Sequence, residues 1–209
     1  MTAPEPTASP VLEFWYDFAS TYSYIAAFTV EAAAKTAGVT VQWRPFLLGP
    51  IFAAQGWRDS PFNLYPAKGV YMWRDMERLC ARHALPLVRP SGFPRHSVLA
   101  ARVALTLPAE TCPAFTRAVY TANFAQDRDI ADPEVLGTLL AALGEAPEAV
   151  LARAQSDPVR EALRAQTTRA QAMGLFGAPS FTVGEEIFWG QDRLEDALAW
   201  ACEPGHKSP

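Results

Sequence analysis

Cysteine is scarce in this sequence, and its spacing excludes the thiol chemistry most often found in small folds. The three cysteines, Cys80, Cys112 and Cys202, lie far apart along the 209 residues. No pair has the spacing of a redox dithiol, and the cysteines and three histidines form too few clusters for a zinc site. An odd number of cysteines without a disulfide framework is typical of a reducing compartment, so we predict a cytoplasmic protein without a bound metal.

Basic charge and long apolar runs are also lacking. The 18 basic and 22 acidic residues leave a formal net charge of −4, whereas proteins that bind nucleic acid usually present a basic face. No apolar run approaches the roughly 20 residues that a membrane-spanning helix needs. Residues 1–10 have neither the basic end nor the apolar stretch of a secretory signal. We therefore expect no nucleic-acid partner and no membrane.

The chain begins with a pattern typical of a β-α-β unit. Val11 to Tyr16 is a short aromatic-rich apolar run, which favours a buried strand. Ser20 or Thr21 can cap a helix that continues to Gly38, and Val39 to Arg44 then favours a second strand. Two strands joined by a helix in so short a stretch should be parallel and buried.

From residue 46 to residue 174 helix signals replace strand signals. Asp132-Pro133-Glu134, for example, places a capping acid, a first-turn proline and a second acid in the order that begins a helix. The predicted helices of this segment run from Pro66 to His83, Arg95 to Leu107, Pro113 to Ala125, Asp132 to Gly144 and Asp157 to Gly174.

The end of the chain returns to β structure. Ser180 to Val183 and Ile187 to Trp189 form a predicted hairpin, and Asp192 to Cys202 a closing helix. This element order predicts an α/β thioredoxin-like fold with a large all-helical insertion. Residues 10–45 and 175–203 make up the thioredoxin-like domain, residues 46–174 the inserted helical domain, and residues 1–9 and 204–209 flexible termini.

The start of the first helix is the first candidate site. Redox thioredoxin folds carry Cys-x-x-Cys at this turn because the helix dipole and free amides stabilise a thiolate. Here the turn reads Ser20-Thr21-Tyr22-Ser23, so no dithiol can form. What remains is an anion site with a hydroxyl donor, although Ser20 can equally be a plain helix cap.

Two further candidate sites come from the end of the chain. In a thioredoxin fold Pro179 follows a cis peptide bond, and the exposed backbone of Ala178 can pair with an extended peptide. A trans proline that ends a loop is the alternative. Gln191 and Asp192 are predicted to cap the last helix, and Asp192 could also receive the ammonium of a ligand.

Six motifs, in this order, carry a resemblance to a known family. They are Trp15-Tyr16-Asp17-Phe18-Ala19-Ser20, Pro66-Ala67-Lys68 with Tyr71 and Asp75, Phe93-Pro94-Arg95, Arg128-Asp129-Ile130-Ala131-Asp132-Pro133, Phe176-Gly177-Ala178-Pro179 and Phe188-Trp189-Gly190-Gln191-Asp192-Arg193. From Val11 to Trp200 the chain resembles the 2-hydroxychromene-2-carboxylate isomerase family, which is related to the kappa-class glutathione transferases and has a DsbA-like thioredoxin fold.

The resemblance implies glutathione as cofactor. Ser20 would bind and activate the glutathione sulfur, Ala178 would pair with the cysteinyl unit, and Lys68 would receive a carboxylate. The cofactor-binding residues implied in this way are Ser20, Asn63, Lys68, Ala178, Pro179, Trp189, Gly190, Gln191 and Asp192. The resemblance also implies a homodimer.

The sequence departs from the family at two places. His96 follows Phe93-Pro94-Arg95 where the family usually has Asn, so a contact to the substrate can differ, and Arg58-Asp59-Ser60 differs from the transferases. Four aromatic residues could line a pocket for a flat substrate or could simply pack in the core: Phe52, Tyr65, Tyr71 and Trp73.

Three functions remain open at this point. The first is an isomerase that adds glutathione thiolate reversibly to an aromatic 2-hydroxychromene-2-carboxylate or a similar conjugated acid. The second is a glutathione transferase that keeps the conjugate. The third is a thiol-peptide binding module without catalysis. Turnover of an electrophile distinguishes the third function from the others, and recovery of free glutathione distinguishes the first from the second.

Overall fold

A four-stranded sheet organises the described part of the chain, residues 9–203 of a computed structural model. Its strands are β1 (Val11–Tyr16), β2 (Thr40–Pro45), β3 (Ser180–Val183) and β4 (Glu186–Trp189), in the spatial order β2-β1-β3-β4. β1 and β2 are parallel, and the other two pairs are antiparallel. This is the predicted thioredoxin-like arrangement. The termini predicted to be flexible lie outside the described residues, apart from residue 9.

Helices make up most of the remaining described residues. They are α1 (Thr21–Ala37), α2 (Leu48–Ala54), α3 (Pro61–Leu64), α4 (Pro66–Arg82), α5 (Val98–Thr106), α6 (Cys112–Phe124), α7 (Pro133–Ala142), α8 (Pro147–Ala154), α9 (Asp157–Ala172) and α10 (Leu194–Cys202), with a 3₁₀ turn at Gln191–Arg193. The predicted helices are confirmed, except that α5 begins three residues later than expected. The sequence pattern missed α2, α3 and α8, because helices of four to eight residues are too short for a clear apolar period.

The two faces of β1 pack against different clusters. Phe14 and Tyr16 point into the main apolar core, together with residues of α1, α6 and α10. Trp15 points to the opposite face, where it packs edge-on against Phe46 with 6.0 Å between ring centroids. This alternation follows from the two-residue period of a strand, and both faces are covered.

An aromatic cluster connects the sheet to the inserted helices. Tyr16 and Phe18 contact Tyr120 of α6, and Tyr24 of α1 stacks on Phe124 at 5.7 Å between ring centroids. All five rings are fully buried, and aromatic pairs contribute about 0.5–1.5 kcal/mol beyond the area that they bury. The predicted thioredoxin-like domain and the predicted inserted domain therefore share one continuous core. Their division into two domains stays a prediction.

An ionic cluster lies on the Trp15 face. The carboxylate of Glu13 on β1 accepts hydrogen bonds from Arg44 at 2.8 Å and from Arg169 of α9 at 2.7 Å. Burial opposes ionisation of Glu13, but the hydrogen bond from Arg169 and the charges of Arg44 and Arg169 outweigh it. The pKa of Glu13 consequently lies below its ordinary value.

Candidate active site

A cavity of about 1370 Å³ lies between the start of α1, the end of β4 and the helices α2 to α5. This volume exceeds the roughly 300–1,000 Å³ of an ordinary ligand pocket, so it offers room for more than one small molecule. Ser20, Lys68, Ala178 and Asp192, which the sequence placed far apart, all line this cavity. We refer to it as the cleft.

Ser20 occupies the N-cap position of α1. Its backbone is extended, and its side-chain oxygen accepts a hydrogen bond of 3.3 Å from the N–H of Ser23. Ser20 therefore caps α1, which is one of the two roles that the sequence left open. Its hydroxyl also donates a hydrogen bond of 2.8 Å to the carbonyl of Ala178. The next residue, Thr21, also lines the cleft, but its hydroxyl oxygen is buried and has no hydrogen-bond partner among residues 9–203. The unused amides of a first helical turn form an anion-binding environment.

The turn before Ser20 is held in place by α6. The carbonyl of Asp17 accepts hydrogen bonds of 2.9 Å from the Ser20 N–H and from the hydroxyl of Tyr120. The side-chain amide of Asn123 donates to the carbonyl of Phe18 at 3.0 Å. These bonds orient the turn, and with it the hydroxyl of Ser20. Sequence analysis missed Tyr120 and Asn123 because they lie about a hundred positions further along the chain, without a local signal.

The carboxylate of Asp17 ties three segments together at the floor of the cleft. It accepts hydrogen bonds from the N–H of Ala19 at 2.9 Å, from the N–H of Leu48 at 2.8 Å and from the side chain of Ser97. Burial raises the pKa of Asp17 above its ordinary value, and these three hydrogen bonds counteract the rise. Asp17 therefore joins the Ser20 turn to the beginnings of α2 and α5.

The Ala178–Pro179 peptide bond is cis and lies beside the start of α1, which confirms the prediction. The carbonyl of Pro179 accepts a hydrogen bond of 3.0 Å from the N–H of Gly190. The N–H of Ala178, in contrast, donates to no group within residues 9–203. An extended peptide ligand could use this donor, as an added strand does at a sheet edge.

The segment after β4 forms one side of the cleft. The Trp189 ring packs against Phe176 at 4.8 Å between centroids and covers Gly177 so closely that a Cβ there would lie 2.2 Å from the indole nitrogen. Gly190 has a φ of 114°, which side chains rarely tolerate, and it turns the chain toward Asp192. These glycines allow the aromatic and acidic side chains to approach the backbone.

The prediction that Gln191 and Asp192 cap the last helix is wrong. In the part of the chain that the structure describes, no side-chain hydrogen bond caps either the 3₁₀ turn or α10. The chain passes through the 3₁₀ turn first, so Arg193, which carries no acceptor, precedes α10. The Asp192 side chain is 63% exposed, and its carboxylate lies 3.7 Å from Arg193. It is therefore available to a ligand.

Helix α4 lies along the cleft. Lys68, Asp75 and Arg82 share one helix face and span about 21 Å of its axis, since seven residues correspond to about two turns. The ammonium group of Lys68 lies 4.8 Å from the centroid of the Tyr65 ring. Asp75 accepts a hydrogen bond of 3.1 Å from the hydroxyl of Tyr22, which places the middle of α4 opposite the start of α1. Burial and the charge of Asp75 raise the pKa of Tyr22, so this phenol stays protonated.

The four candidate aromatic residues have different roles. Phe52 lines the cleft and contacts Trp57 at 5.4 Å between ring centroids, whereas Tyr65 and Tyr71 are exposed outside its lining. Trp73 packs edge-on against Phe93 at 5.1 Å. Of these four aromatic residues, Phe52 is therefore the one that lines the cleft.

Asn63 is not brought into the cleft lining. Its side-chain amide donates to the carboxylate of Asp59 at 3.1 Å and to the carbonyl of Phe93 at 3.3 Å. His96, at the position where the family pattern differs, does line the cleft. Of the predicted site residues, Asn63 is thus the one that lies outside the cleft lining.

Two of the six motifs contact each other. The guanidinium of Arg95 donates to the carbonyl of Arg128 at 2.7 Å and to the carbonyl of Asp127 at 3.2 Å, and it forms an ion pair with the Asp127 carboxylate. It also donates to the side chain of Asn123 at 3.2 Å. Arg95 is therefore structural, and it fixes the loop that carries His96.

The chain is similar to known proteins over most of its length. A family model described as the DSBA-like thioredoxin domain matches residues 11–199. The chain belongs to this family. A 2-hydroxychromene-2-carboxylate isomerase of Sphingobium xenophagum is 28% identical over 185 residues, which cover 88% of this chain and 94% of the relative. The glutathione S-transferase kappa 1 of Caenorhabditis elegans is 27% identical over 201 residues, covering 88% of each chain.

A solved structure shows the same fold. The structure of a selenomethionine 2-hydroxychromene-2-carboxylate isomerase has a TM-score of 0.83 and 23% identity, over 92% of this chain and 96% of the other. The DSBA-like thioredoxin fold predicted from the element order is confirmed. The relatives are isomerases and glutathione transferases.

This member of the DSBA-like family has serine at both ends of the Ser20-Thr21-Tyr22-Ser23 turn, so no dithiol can form at the start of α1. Burial raises the pKa of the Cys80 thiol to about 11. Within residues 9–203 no helix is long and apolar enough to cross a membrane. The same residues contain no group of three His, Cys, Asp or Glu side chains that could hold a metal ion.

Proposed function

We propose that this protein is a glutathione-dependent isomerase that acts on an aromatic 2-hydroxychromene-2-carboxylate or a similar conjugated acid. One observation carries the proposal: Ser20 at the start of α1 and Ala178 at the cis-proline turn line the same cleft, and the N–H of Ala178 donates to no group within residues 9–203. The similarity to isomerases over most of the chain supports it. The proposal is tested by the pKa of the glutathione thiol when glutathione is bound in the cleft.

The donors and acceptors of the cleft match glutathione, an extended peptide with one ammonium, two carboxylates and a thiol. Asp192 offers a carboxylate to the ammonium, and Lys68 offers a cation to a carboxylate. Ala178 offers an unused N–H to the peptide unit, and Ser20 lies beside it.

The hydroxyl of Ser20 has one hydrogen, so it can donate to only one acceptor at a time. In this structure the hydrogen goes to the Ala178 carbonyl, so donation to a sulfur atom requires the hydroxyl to turn away from that carbonyl. Its oxygen can go on capping the N–H of Ser23 in either orientation. When bound, glutathione supplies a thiolate that adds reversibly to a conjugated carbon, so that a double bond becomes a rotatable single bond.

The remainder of the cleft suits the aromatic acid. Phe52, Trp57 and Phe93 line it and present flat apolar faces. The protein thereby excludes water from the conjugated system, and the α1 terminus favours negative charge near Ser20. No residue within 9–203 needs to supply redox chemistry for this reaction.

A glutathione transferase is the second candidate, and the similarity to the kappa 1 transferase favours it. Both functions use the thiolate of glutathione. In the isomerase the adduct of glutathione and substrate releases glutathione again, whereas in the transferase this adduct is the product. Quantitative recovery of free glutathione after turnover indicates the isomerase, and stoichiometric loss of glutathione indicates the transferase. Binding without turnover of any conjugated electrophile indicates a non-catalytic module.

The deciding experiment measures the pKa of bound glutathione. A free cysteine thiol has a pKa of about 8.5, and a helix N-terminus with a hydroxyl donor lowers it. Thiolate absorbance across a pH series should show a lowered pKa in the wild type, a partial return in Ser20→Ala and retention in Ser20→Thr, which keeps the hydroxyl. Turnover should fall more than affinity in Ser20→Ala. Equal thiol pKa values in all three proteins would reduce Ser20 to a helix cap.

A further inference from the structure

Asn123 of α6 uses both ends of its side-chain amide inside the core. The amide nitrogen donates a hydrogen bond of 3.0 Å to the carbonyl of Phe18, and the amide oxygen accepts one of 3.2 Å from the guanidinium of Arg95. Asn123 is 1% exposed, so water cannot readily replace either bond when the amide is removed. The amide therefore connects two segments that lie 105 and 28 positions away in the sequence.

The two connected segments belong to different parts of the cleft. Phe18 lies in the turn that ends at Ser20, where the proposed function places the thiol of glutathione. Arg95 follows Phe93 and Pro94, which line the part of the cleft assigned to the aromatic acid. The Asn123 amide thus links the turn that would act on the thiol to the surface that would hold the reaction partner of the thiol.

The Arg95 end of this link is firmly held. The side chain of Arg95 is 8% exposed, donates to the carbonyl of Arg128 at 2.7 Å and forms an ion pair with the Asp127 carboxylate. Hydrogen bonds from Ser91 and Arg95 keep the pKa of Asp127 below its ordinary value, so the ion pair persists at neutral pH. Asn123 therefore ties the Ser20 turn to an anchored side chain.

The Phe18 end of the link depends on Asn123 alone. Among residues 9–203 no other group donates to the Phe18 carbonyl, whereas the Asp17 carbonyl accepts from both Ser20 and Tyr120. A second link runs in parallel, because the side chain of Ser97 hydrogen-bonds to the Asp17 carboxylate. This second link would remain without Asn123, so the turn would be loosened rather than unfolded.

We propose that Asn123 is a positioning residue that fixes the Ser20 turn relative to the Phe93 side of the cleft, so that the thiol and the electrophilic carbon meet at reacting distance. The proposal rests on the proposed function in taking Ser20 as the thiol end and Phe93 as the aromatic end. A misplacement of about 1 Å between reacting groups can lower a rate about 100-fold. Loss of the amide should therefore slow the reaction between the bound ligands more than it weakens the binding of either ligand.

The experiment compares Asn123→Leu, which removes both hydrogen bonds at similar volume, with Thr116→Val as the matched control. Thr116 is buried on the same helix, and its hydroxyl forms a hydrogen bond of 3.0 Å with Tyr16 and none with Phe18 or Arg95. Both substitutions remove buried hydrogen bonding, so both variants should lose stability in denaturant unfolding. Only Asn123→Leu should also change the chemistry in the cleft.

The probe reaction joins glutathione to 1-chloro-2,4-dinitrobenzene. The thiolate forms a C–S bond at the ring carbon that carries chlorine, chloride leaves with the electron pair of the C–Cl bond, and the thiol proton goes to solvent. At saturation of both ligands the rate constant should fall at least about tenfold in Asn123→Leu and stay within about twofold of the wild type in Thr116→Val. Calorimetry should show dissociation constants for glutathione and for 2-naphthoate that change less than about threefold in both variants.

Two results of the probe reaction would overturn the proposal. One is an equal fall of the rate constant in Asn123→Leu and Thr116→Val, which would make Asn123 a residue that only stabilises the fold. The other is an unchanged rate constant in Asn123→Leu.

Hydrogen–deuterium exchange of the ligand-free protein tests the same link without any reaction. The amides of Ala19 and Ser20 should exchange faster in Asn123→Leu than in Thr116→Val, and equal exchange in the two variants would also overturn the proposal. A wild type that does not accelerate the probe reaction, together with faster exchange in Asn123→Leu, would count against the proposed function alone, because the link between Asn123 and the Ser20 turn would stand.

Discussion

The hydroxyl of Tyr120 donates a 2.9 Å hydrogen bond to the carbonyl of Asp17, and through it helix α6 supports the turn that presents Ser20. Both residues are buried, so the bond is shielded from water. Burial raises the pKa of Tyr120 well above its ordinary value, so the phenol stays protonated and can donate. The inserted helices therefore take part in the geometry of the site.

Tyr120→Phe removes this hydrogen bond and leaves the ring in place. We expect the free energy of unfolding to fall by about 1 kcal/mol, the usual contribution of a buried hydrogen bond. We also expect the pKa of bound glutathione to rise toward that of free glutathione, because the Ser20 turn loses a support. Tyr24→Phe is the matched control, since it removes a 2.9 Å hydrogen bond from the same aromatic cluster to Pro86, away from the turn.

Denaturant unfolding and thiolate absorbance measure the two effects separately. Both variants should lose similar stability, and the thiol pKa should move in Tyr120→Phe alone. A thiol pKa that moves equally in both variants would mean that the hydrogen bond stabilises the fold without orienting Ser20.

Asp192→Asn should weaken glutathione binding severalfold. The carboxylate is exposed, and surface ion pairs contribute less than about 1 kcal/mol, which corresponds to a factor of about five. Asp196→Asn is the control, because Asp196 also contacts Arg193 but does not line the cleft. Calorimetric titration with glutathione should show the loss in the first variant only. Equal affinities of the two variants would remove Asp192 from the site.

Gly177→Ala should disturb the Trp189 side of the cleft. A Cβ at this position would lie 2.2 Å from the indole nitrogen, so the Trp189 ring, which now packs against Phe176, must shift. Overpacking of this kind typically costs about 1–3 kcal/mol. Gly137→Ala, which meets only ordinary contacts of 3.7 Å or more, serves as the control. Thermal unfolding and tryptophan fluorescence should change in the first variant, and an unchanged fluorescence spectrum would contradict the prediction.

Glu13→Gln should make stability less dependent on pH in acid. The pKa of Glu13 is lowered in the folded protein, so its contribution is present above the unfolded value of 4.5 and is lost as the pH falls through the folded value. The wild type should therefore lose more unfolding free energy than Glu13→Gln between pH 6 and pH 3. Glu185→Gln is the control, since Glu185 lies at an exposed turn and forms no ion pair with any residue from 9 to 203. Parallel pH profiles of wild type and Glu13→Gln would refute the assignment.

Much of the fold follows from local sequence patterns. The apolar run of β1, the Ser20 cap and Gly38 define the first strand and helix, and the structure places them within one residue of the prediction. Asp132 and Pro133 likewise begin α7 as expected. These signals are local, since a cap or a first-turn proline acts on amides only a few residues away.

The sequence was less informative where a neighbour in space decides the outcome. Gln191 and Asp192 have the composition of a helix cap, yet an intervening 3₁₀ turn leaves Asp192 free to face the cleft. Asn63 is a plausible ligand residue by resemblance, yet Asp59 and Phe93 engage its amide. The outcome at each position depends on contacts that the local pattern does not contain.

By itself, the sequence determined the absence of a dithiol at the start of α1 and the order of strands and helices. Tertiary structure alone decided which groups complete the site: Tyr120 and Asn123 on α6, Ser97 before α5, and the side of the loop from which His96 borders the cleft. The physical reason is the range of the interactions. Caps, turns and apolar periods act over a few residues, whereas these hydrogen bonds join groups about 80 to 105 positions apart, which only the packed core brings together.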